Sequence, residues 1–198
     1  QVNANIPVDD GEFYIRTPMD GRSFTYQGQT VLEMGCGHIG LLSQYIKKNF
    51  RDKSVVGVDI YESFVENAHL NARQNGLDVE FIQSDLYDNI DKKFDFILFN
   101  PPYKPIKFAG KKKLNRFSGN DYLYPKTGFS GKEGIDITVK FLKETKRNLS
   151  NEGIILLGIN CFYVPYQRVL ELIEQNGYEL ISVITQKFNT AKVFVIKN

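Results

Sequence analysis

Cysteine is scarce in this chain, with only Cys36 and Cys161 among 198 residues. A disulfide-stapled scaffold is excluded, and a cytosolic compartment is the expectation. No apolar run approaches the roughly 20 residues that a membrane-spanning helix needs. The first residues, Gln1-Val2-Asn3-Ala4, show no basic segment leading into an apolar one, so no signal peptide is expected. Starting without methionine, the chain also fits a piece of a longer protein. A net charge of +2 leaves any argument about nucleic acid to local clusters. Repeats and low-complexity tracts are absent as well, and the length suits one domain with a sizeable core.

What is present is alternation. Residues 1–28 are polar, carry Gly11, Pro18 and Gly21, and are read as an irregular lead-in to a domain over residues 29–198. Thr30–Met34 reads as a strand and Ile39–Asn49 as a helix with Leu41, Leu42, Tyr45 and Ile46 on its apolar face. Ser54–Asp59 is a strand, Tyr61–Asn75 a helix stopped by Gly76, and Val79–Gln83 and Phe94–Phe99 are strands. Lys132–Leu149 reads as a helix, Asn151-Glu152-Gly153 as a turn and Ile154–Ile159 as a strand. Tyr166–Gln175 is a helix, and Glu179–Gln186 with Lys192–Lys197 a terminal hairpin. The prediction is an α/β, doubly wound, mostly parallel seven-stranded sheet with an antiparallel C-terminal pair. The connection from 103 to 130 is too long to be idle.

Two stretches carry chemistry. Asn100-Pro101-Pro102-Tyr103 follows a buried strand that it cannot continue, because proline donates no amide hydrogen and fixes φ. The turn holds the Asn100 side chain and nearby carbonyls at the carboxyl end of the strand, where open α/β sheets bind ligands. It offers acceptors for an NH2 group and, in Tyr103, a face for a flat substrate. Upstream, Glu33-Met34-Gly35-Cys36-Gly37 places a glycine turn between strand and helix, where a ligand can approach closely. Asp59 ends the next strand, positioned for ribose hydroxyls, and Asp85 ends the third, positioned for an adenine amine. As isolated residues, both acids could equally be caps or turn residues.

The loop lacks the Gly-Lys-Ser/Thr ending of a phosphate loop. Ile39 stands where a dinucleotide fold places its third, close-packing glycine, with Gly40 beside it. An acid at Glu33 would repel a pyrophosphate. Acids plus glycines suit a cofactor with a ribose, an adenine and a cationic amino-acid tail, a description that S-adenosyl-L-methionine fits. The expected cofactor set is Glu33, Gly35, Cys36, Gly37, Asp59, Ile60, Asp85, Leu86 and Asn100, and no metal is invoked.

These motifs, in this order, resemble the class I S-adenosylmethionine-dependent methyltransferases of the Asn-Pro-Pro-Tyr group, with a Rossmann-like fold, from about Thr30 to the C-terminus. Thr127-Gly128-Phe129-Ser130-Gly131-Lys132-Glu133-Gly134-Ile135-Asp136 is similar to the glycine-rich segment opening the next helix in release-factor glutamine methyltransferases. Tyr124-Pro125 loosely fits the same pattern. The resemblance implies methylation of a planar amide or amine nitrogen, most directly a protein glutamine side chain in a translation release factor. Asn100, Pro101, Pro102 and Tyr103 then form the catalytic set, and no histidine base is required, so His38 and His69 are bystanders. The family's sheet order also implies that Cys36 and Cys161 flank the Asn100 strand, about two strand spacings apart, too far for a disulfide.

Lys104, Lys107, Lys111, Lys112, Lys113 and Arg116 crowd the same stretch, interleaved with Phe108, Phe117, Tyr122 and Tyr124. A charge run is often only a solvated loop. The functional reading of loop 104–116 is contact with nucleic acid, which supports an adenine exocyclic-amine methyltransferase of RNA or DNA as the alternative. A cofactor-binding but non-catalytic partner subunit is a third reading, and the intact tetrapeptide argues against it. The sequence does not fix the oligomeric state, and a monomer is compatible with it.

Overall fold

The computed structural model describes residues 13–16, 23–26, 28–108, 128–185, 187 and 189–198. Seven strands form one sheet: β3 (Thr30–Met34), β4 (Ser54–Asp59), β5 (Glu80–Gln83), β6 (Phe94–Phe99), β7 (Leu149–Asn160), β8 (Glu179–Thr185) and β9 (Ala191–Lys197). Their order is β5-β4-β3-β6-β7-β9-β8. The first five in space run parallel, and β9 lies antiparallel to both β7 and β8. Chain order reverses at β3, which pairs with β4 on one side and β6 on the other. The glycine loop and Asn100 follow these two adjacent strands, so both emerge at the switch point.

Helices α1 (Leu41–Asn49) and α2 (Glu62–Gln74) serve one face of the sheet, and α3 (Asp136–Thr145) and α4 (Tyr166–Gln175) the other. Successive strand residues point to opposite faces. Leu32, Met34, Val56, Val58, Ile155 and Leu157 accordingly join Phe141, Leu142, Leu172 and Ile173 in one core. Val31, Val55, Phe96, Ile154 and Val195 join Ile46, Ala68, Ala72 and Phe81 in the second. No helix among the described residues is long and apolar enough to cross a membrane.

The structure departs from the sequence reading in four places. Within the stretch read as irregular, β1 (Phe13–Arg16) and β2 (Ser23–Tyr26) pair antiparallel. The α1 face is rotated: of the expected apolar face Ile46 is buried, whereas Leu41, Leu42 and Tyr45 are exposed, and Ser43 and Gln44 are buried instead. Ser43 is drawn inward by Glu33, whose carboxylate accepts both the Ser43 amide and hydroxyl. Helix α3 begins four residues later than expected, because Gly131 and Gly134 both hold left-handed backbone. Finally, Asn151-Glu152-Gly153 is not a free turn but a register shift inside the long strand β7, opposite Phe94 and Phe96.

Candidate active site

The loop after β3 is pinned at its base. The Cys36 amide donates to the Val58 carbonyl at 2.9 Å, and the Gly37 amide to Asp59 Oδ2 at 2.9 Å. Asp59 Oδ1 accepts from the Tyr61 amide at 3.1 Å. One carboxylate thus ties the glycine loop to the start of α2. Burial pushes the Asp59 carboxyl above the usual range, while the amides of Tyr61, Gly37 and Ile60 pull it back. Gly40 takes the close-packing place beside Ile39. Its φ is 63°, and a Cβ there would come within 2.6 Å of the Phe81 ring.

Two residues of the expected cofactor set lie outside the cavity wall. Glu33 is 6% exposed and turned under the loop toward Ser43. Burial drives its pKa up, partly offset by the Ser43 hydroxyl and amide. The acid read as facing the ligand therefore braces the loop from below. Cys36 is also 6% exposed, and burial, then the charges of Glu33 and Asp59, hold its thiol well above its ordinary pKa. A buried, protonated thiol is a packing group. Both cysteines are free.

The third acid stands at the open side. Asp85 is half exposed and pairs with Lys140 of α3 at 3.0 Å. The next residue, Leu86, is the one non-glycine with positive φ among the described residues, at 51°, and it is buried. A branched residue in left-handed backbone is strained and persists only where its surroundings hold it. Here the Ser84 amide donates to the Asp59 carbonyl at 2.9 Å, and Ser84 Oγ accepts from the Asn89 amide at 2.9 Å. Those two bonds hold both flanks of the turn.

Asn100 emerges from β6 over Gly158 of β7. A Cβ on Gly158 would come within 3.3 Å of Asn100 Oδ1, so the glycine leaves the room that this amide occupies. The Asn100 side chain makes no hydrogen bond among the described residues. Pro101 is buried behind it, and Pro102 and Tyr103 are half-buried. The tail of the motif is clamped from the far side. Lys104 bridges Phe129, with its amide donating to the Gly128 carbonyl at 2.9 Å and its carbonyl accepting from the Ser130 amide at 3.0 Å. Ser130 Oγ then accepts the Ile137 amide at 2.8 Å at the head of α3. Gly134 has φ 80°, and a Cβ there would lie 2.3 Å from the Tyr103 carbonyl oxygen. The glycine-rich segment is therefore a brace pressed against the tetrapeptide.

These pieces surround one cavity of about 550 Å³, ample for a ligand of nucleoside size. Gly35, Gly37, Asp59, Ile60, Asp85, Leu86, Asn100, Pro101, Pro102 and Tyr103 all line it. His38, Tyr61, Phe64, Phe129 and Ile137 line it too, beyond the expected set. Tyr61 and Phe64 had a readable signal, an aromatic pair one helical turn apart just after Asp59, with rings 5.2 Å apart. Phe129 and Ile137 had none, because they reach the cavity only through the clamp. His38 lies 5.6 Å from Phe64, whereas His69 of α2 rests against Phe81 of β5. Of the cationic stretch, Lys104 and Lys107 are described. Lys111, Lys112, Lys113 and Arg116, with Phe117, Tyr122, Tyr124 and Pro125, lie outside the described residues.

A doubly wound sheet whose switch point carries a glycine-rich loop, two acids and an apolar wall fits a cofactor with ribose hydroxyls, an adenine and a cationic tail. It defines the class of Rossmann-like S-adenosylmethionine-dependent methyltransferases. The chain belongs to the methyltransferase small domain family, which matches residues 8–117, and its cofactor is S-adenosylmethionine. It is 32% identical over 149 residues to a Methanocaldococcus jannaschii protein provisionally named a protein N5-glutamine methyltransferase, covering 75% of this chain and 68% of that one. It is 29% identical over 174 residues to the ribosomal RNA small subunit methyltransferase C of Haemophilus influenzae, covering 85% of this chain and 42% of that one. Against the release factor glutamine methyltransferase of Haemophilus influenzae it is 27% identical over 168 residues, covering 82% and 55%. The chain thus spans from under half to about two thirds of the length of these relatives. In fold it is similar to the ribosomal protein L11 methylase of Lactobacillus delbrueckii, with TM-score 0.62 and 18% identity over 85% of this chain and 69% of that one.

Proposed function

We propose that this chain methylates a planar NH2 nitrogen, the side-chain amide of a glutamine in a protein such as a translation release factor. The observation that carries the reading is Asn100: an exposed amide with no internal hydrogen bond among the described residues, on the cavity wall that the buried Pro101 and half-buried Tyr103 also line. An amide left unbonded at a cavity wall is available to a ligand.

An amide nitrogen is a poor nucleophile because its lone pair is delocalised, so it needs positioning more than a strong base. Asn100 Oδ1 and the Pro101 carbonyl each accept one hydrogen of the substrate NH2. That holds the nitrogen and draws it toward tetrahedral geometry. Tyr103 lies along the flat amide. Much of the rate is then orientation, with reacting atoms held ~3–3.5 Å apart. Bound S-adenosylmethionine supplies an electrophilic methyl group on a sulfonium, with a neutral thioether as leaving group. Gly35 and Gly37 would admit its tail, Asp59 would accept from its ribose, and Asp85, Leu86 and Ile60 would border its base, all of them lining the cavity. The surplus proton passes to water after transfer, and neither histidine is needed for it.

A base amine of nucleic acid is the second reading, favoured by Lys104 and Lys107 beside Tyr103 and by the relative named for ribosomal RNA. Labelled-methyl transfer from S-adenosylmethionine to release factor, to total tRNA and rRNA and to DNA separates the two. Label on a glutamine of the protein pool is the expected result. Label confined to nucleic acid overturns it.

A further inference from the structure

Beside the cavity mouth lies a patch that shares Tyr103 with the chemistry above but extends beyond it. It is built from two connections that lie side by side because β6 and β7 are paired. After β6 come Tyr103, Lys104, Ile106, Lys107 and Phe108; after β7 come Phe162 and Tyr163. Tyr163 is the hub. It stacks on Tyr103 at 6.0 Å and meets Phe108 and Phe162 edge-on at 5.4 and 5.1 Å. The Lys104 ammonium lies 5.8 Å from the Tyr163 ring and that of Lys107 lies 5.4 Å from Phe108. Around this hub Phe162 is 68% exposed, Ile106 50% and Phe108 48%.

Large apolar side chains exposed together mark an interaction site more often than chance exposure does. Neither stretch, 103–108 nor 160–166, contains an acid. The charges that these two stretches bring to the apolar rings are cationic, those of Lys104 and Lys107, while the exposed Glu133 of the neighbouring 128–134 segment is paired with Arg168 at 3.5 Å; the patch is continuous with the cavity through Tyr103 and Lys104, which line both.

We infer that this aromatic shelf docks the protein substrate, taking an apolar side chain flanked by carboxylates next to the methylated glutamine. The inference rests on the glutamine reading above. The ring geometry favours a polypeptide over a single nucleic-acid strand. A base-stacking platform presents ring faces to successive bases. Here Phe108 and Phe162 stand at 84° and 89° to Tyr163, and Phe108 already carries a lysine. Such a relief of edges with an aliphatic Ile106 accepts side-chain knobs, and aromatic anchors of this kind dominate protein interfaces. Lys104 and Lys107 supply the charge preference and steer the encounter.

The test uses fluorescein-labelled glutamine-centred peptides with Leu and Glu flanks, the same peptides with Leu and Lys flanks, and a single-stranded oligoadenylate. Binding is read by anisotropy with S-adenosylhomocysteine present, and label transfer is measured in parallel. The Glu-flanked peptide is expected to bind at least about tenfold more tightly than the Lys-flanked one. Phe162→Ala and Phe108→Ala each weaken it about tenfold, the scale of a lost aromatic anchor, with cofactor affinity unchanged. Lys107→Glu reverses the preference between flanks. Equal binding by wild type and Phe162→Ala, or no preference between flanks, overturns the shelf even when glutamine is methylated. Oligoadenylate bound more tightly than peptide and released by Phe162→Ala also overturns it. Shelf-dependent peptide binding without any label on glutamine leaves the shelf standing and sinks the glutamine reading instead.

Discussion

At the scale of single residues, the cavity separates holding from reacting. Asn100 has no structural hydrogen bond to lose among the described residues, so Asn100→Ala is expected to leave the fold and cofactor affinity within about threefold. Single-turnover methyl transfer should fall about 100-fold or more, the size of effect seen when one polarising contact is deleted. Turnover within a fewfold of wild type would remove the polarising role. Asp59 is the opposite case, since its carboxylate joins the Gly37 and Tyr61 amides and faces the ligand. Asp59→Ala is expected to weaken cofactor binding about 10- to 100-fold by calorimetry, as for loss of hydrogen bonds to a charged group. Its acceptor strength also sets a pH dependence. Burial raises the Asp59 pKa, so the site begins to protonate at a higher pH than a free aspartate would. Cofactor affinity should fall on acidification in the wild type and stay flatter in Asp59→Asn. The acids, glycines and tetrapeptide were legible in the sequence because each occupies a strand end, and alternation reveals strand ends. The direction of Glu33 was not legible. Whether its carboxylate turns to the ligand or to Ser43 depends on how closely α1 approaches β3.

At the scale of elements, the clamp and α1 make the sharpest claims. Gly134→Ala puts a methyl group against the Tyr103 carbonyl in backbone that L-residues disfavour, at about 1–2 kcal/mol before any clash. The expected outcome is a lower melting temperature and reduced methyl transfer, with cofactor affinity nearly unchanged. A fully active Gly134→Ala protein would show that the brace does not position Tyr103. For α1, Leu41→Lys at a position 65% exposed should change stability by less than about 0.5 kcal/mol. Ile46→Ala at a position 7% exposed should cost about 2–5 kcal/mol, read by urea denaturation. The periodicity of Leu41, Leu42 and Tyr45 pointed the other way. Hydrophobic spacing finds a helix but does not choose its buried face when a polar bond such as that of Ser43 to Glu33 competes. Helix α3 was placed too early for a related reason. The composition of 132–134 permits helix, while packing against Tyr103 imposes the left-handed turn at Gly134.

At the scale of the whole molecule, the end of the sheet away from the ligand is fastened by Asp95. Its Oδ2 accepts from the Gln29 and Thr30 amides and the Thr30 hydroxyl, and its Oδ1 from Ser150. One carboxylate thus joins the starts of β3 and β6 to β7. Burial alone would raise its pKa, but the four donors together lower it. A carboxyl lowered in the folded state stabilises fully above its unfolded pKa of about 3.9 and loses that contribution as pH falls through the folded value. Asp95→Asn should therefore melt below wild type at neutral pH, with the gap closing below about pH 4; a gap constant down to pH 2.5 would contradict the titration. Strand–helix alternation, the two proline- and glycine-marked turns and the acids between them were set by the sequence alone, because local steric rules and side-chain period write them directly into residue order. Tertiary structure alone decided that Gly158 makes room for Asn100, that the 128–134 segment braces Tyr103, and that Phe162 and Tyr163 join Phe108 beside the cavity. Each of those contacts joins residues distant in the chain, and only strand pairing and helix packing bring them together.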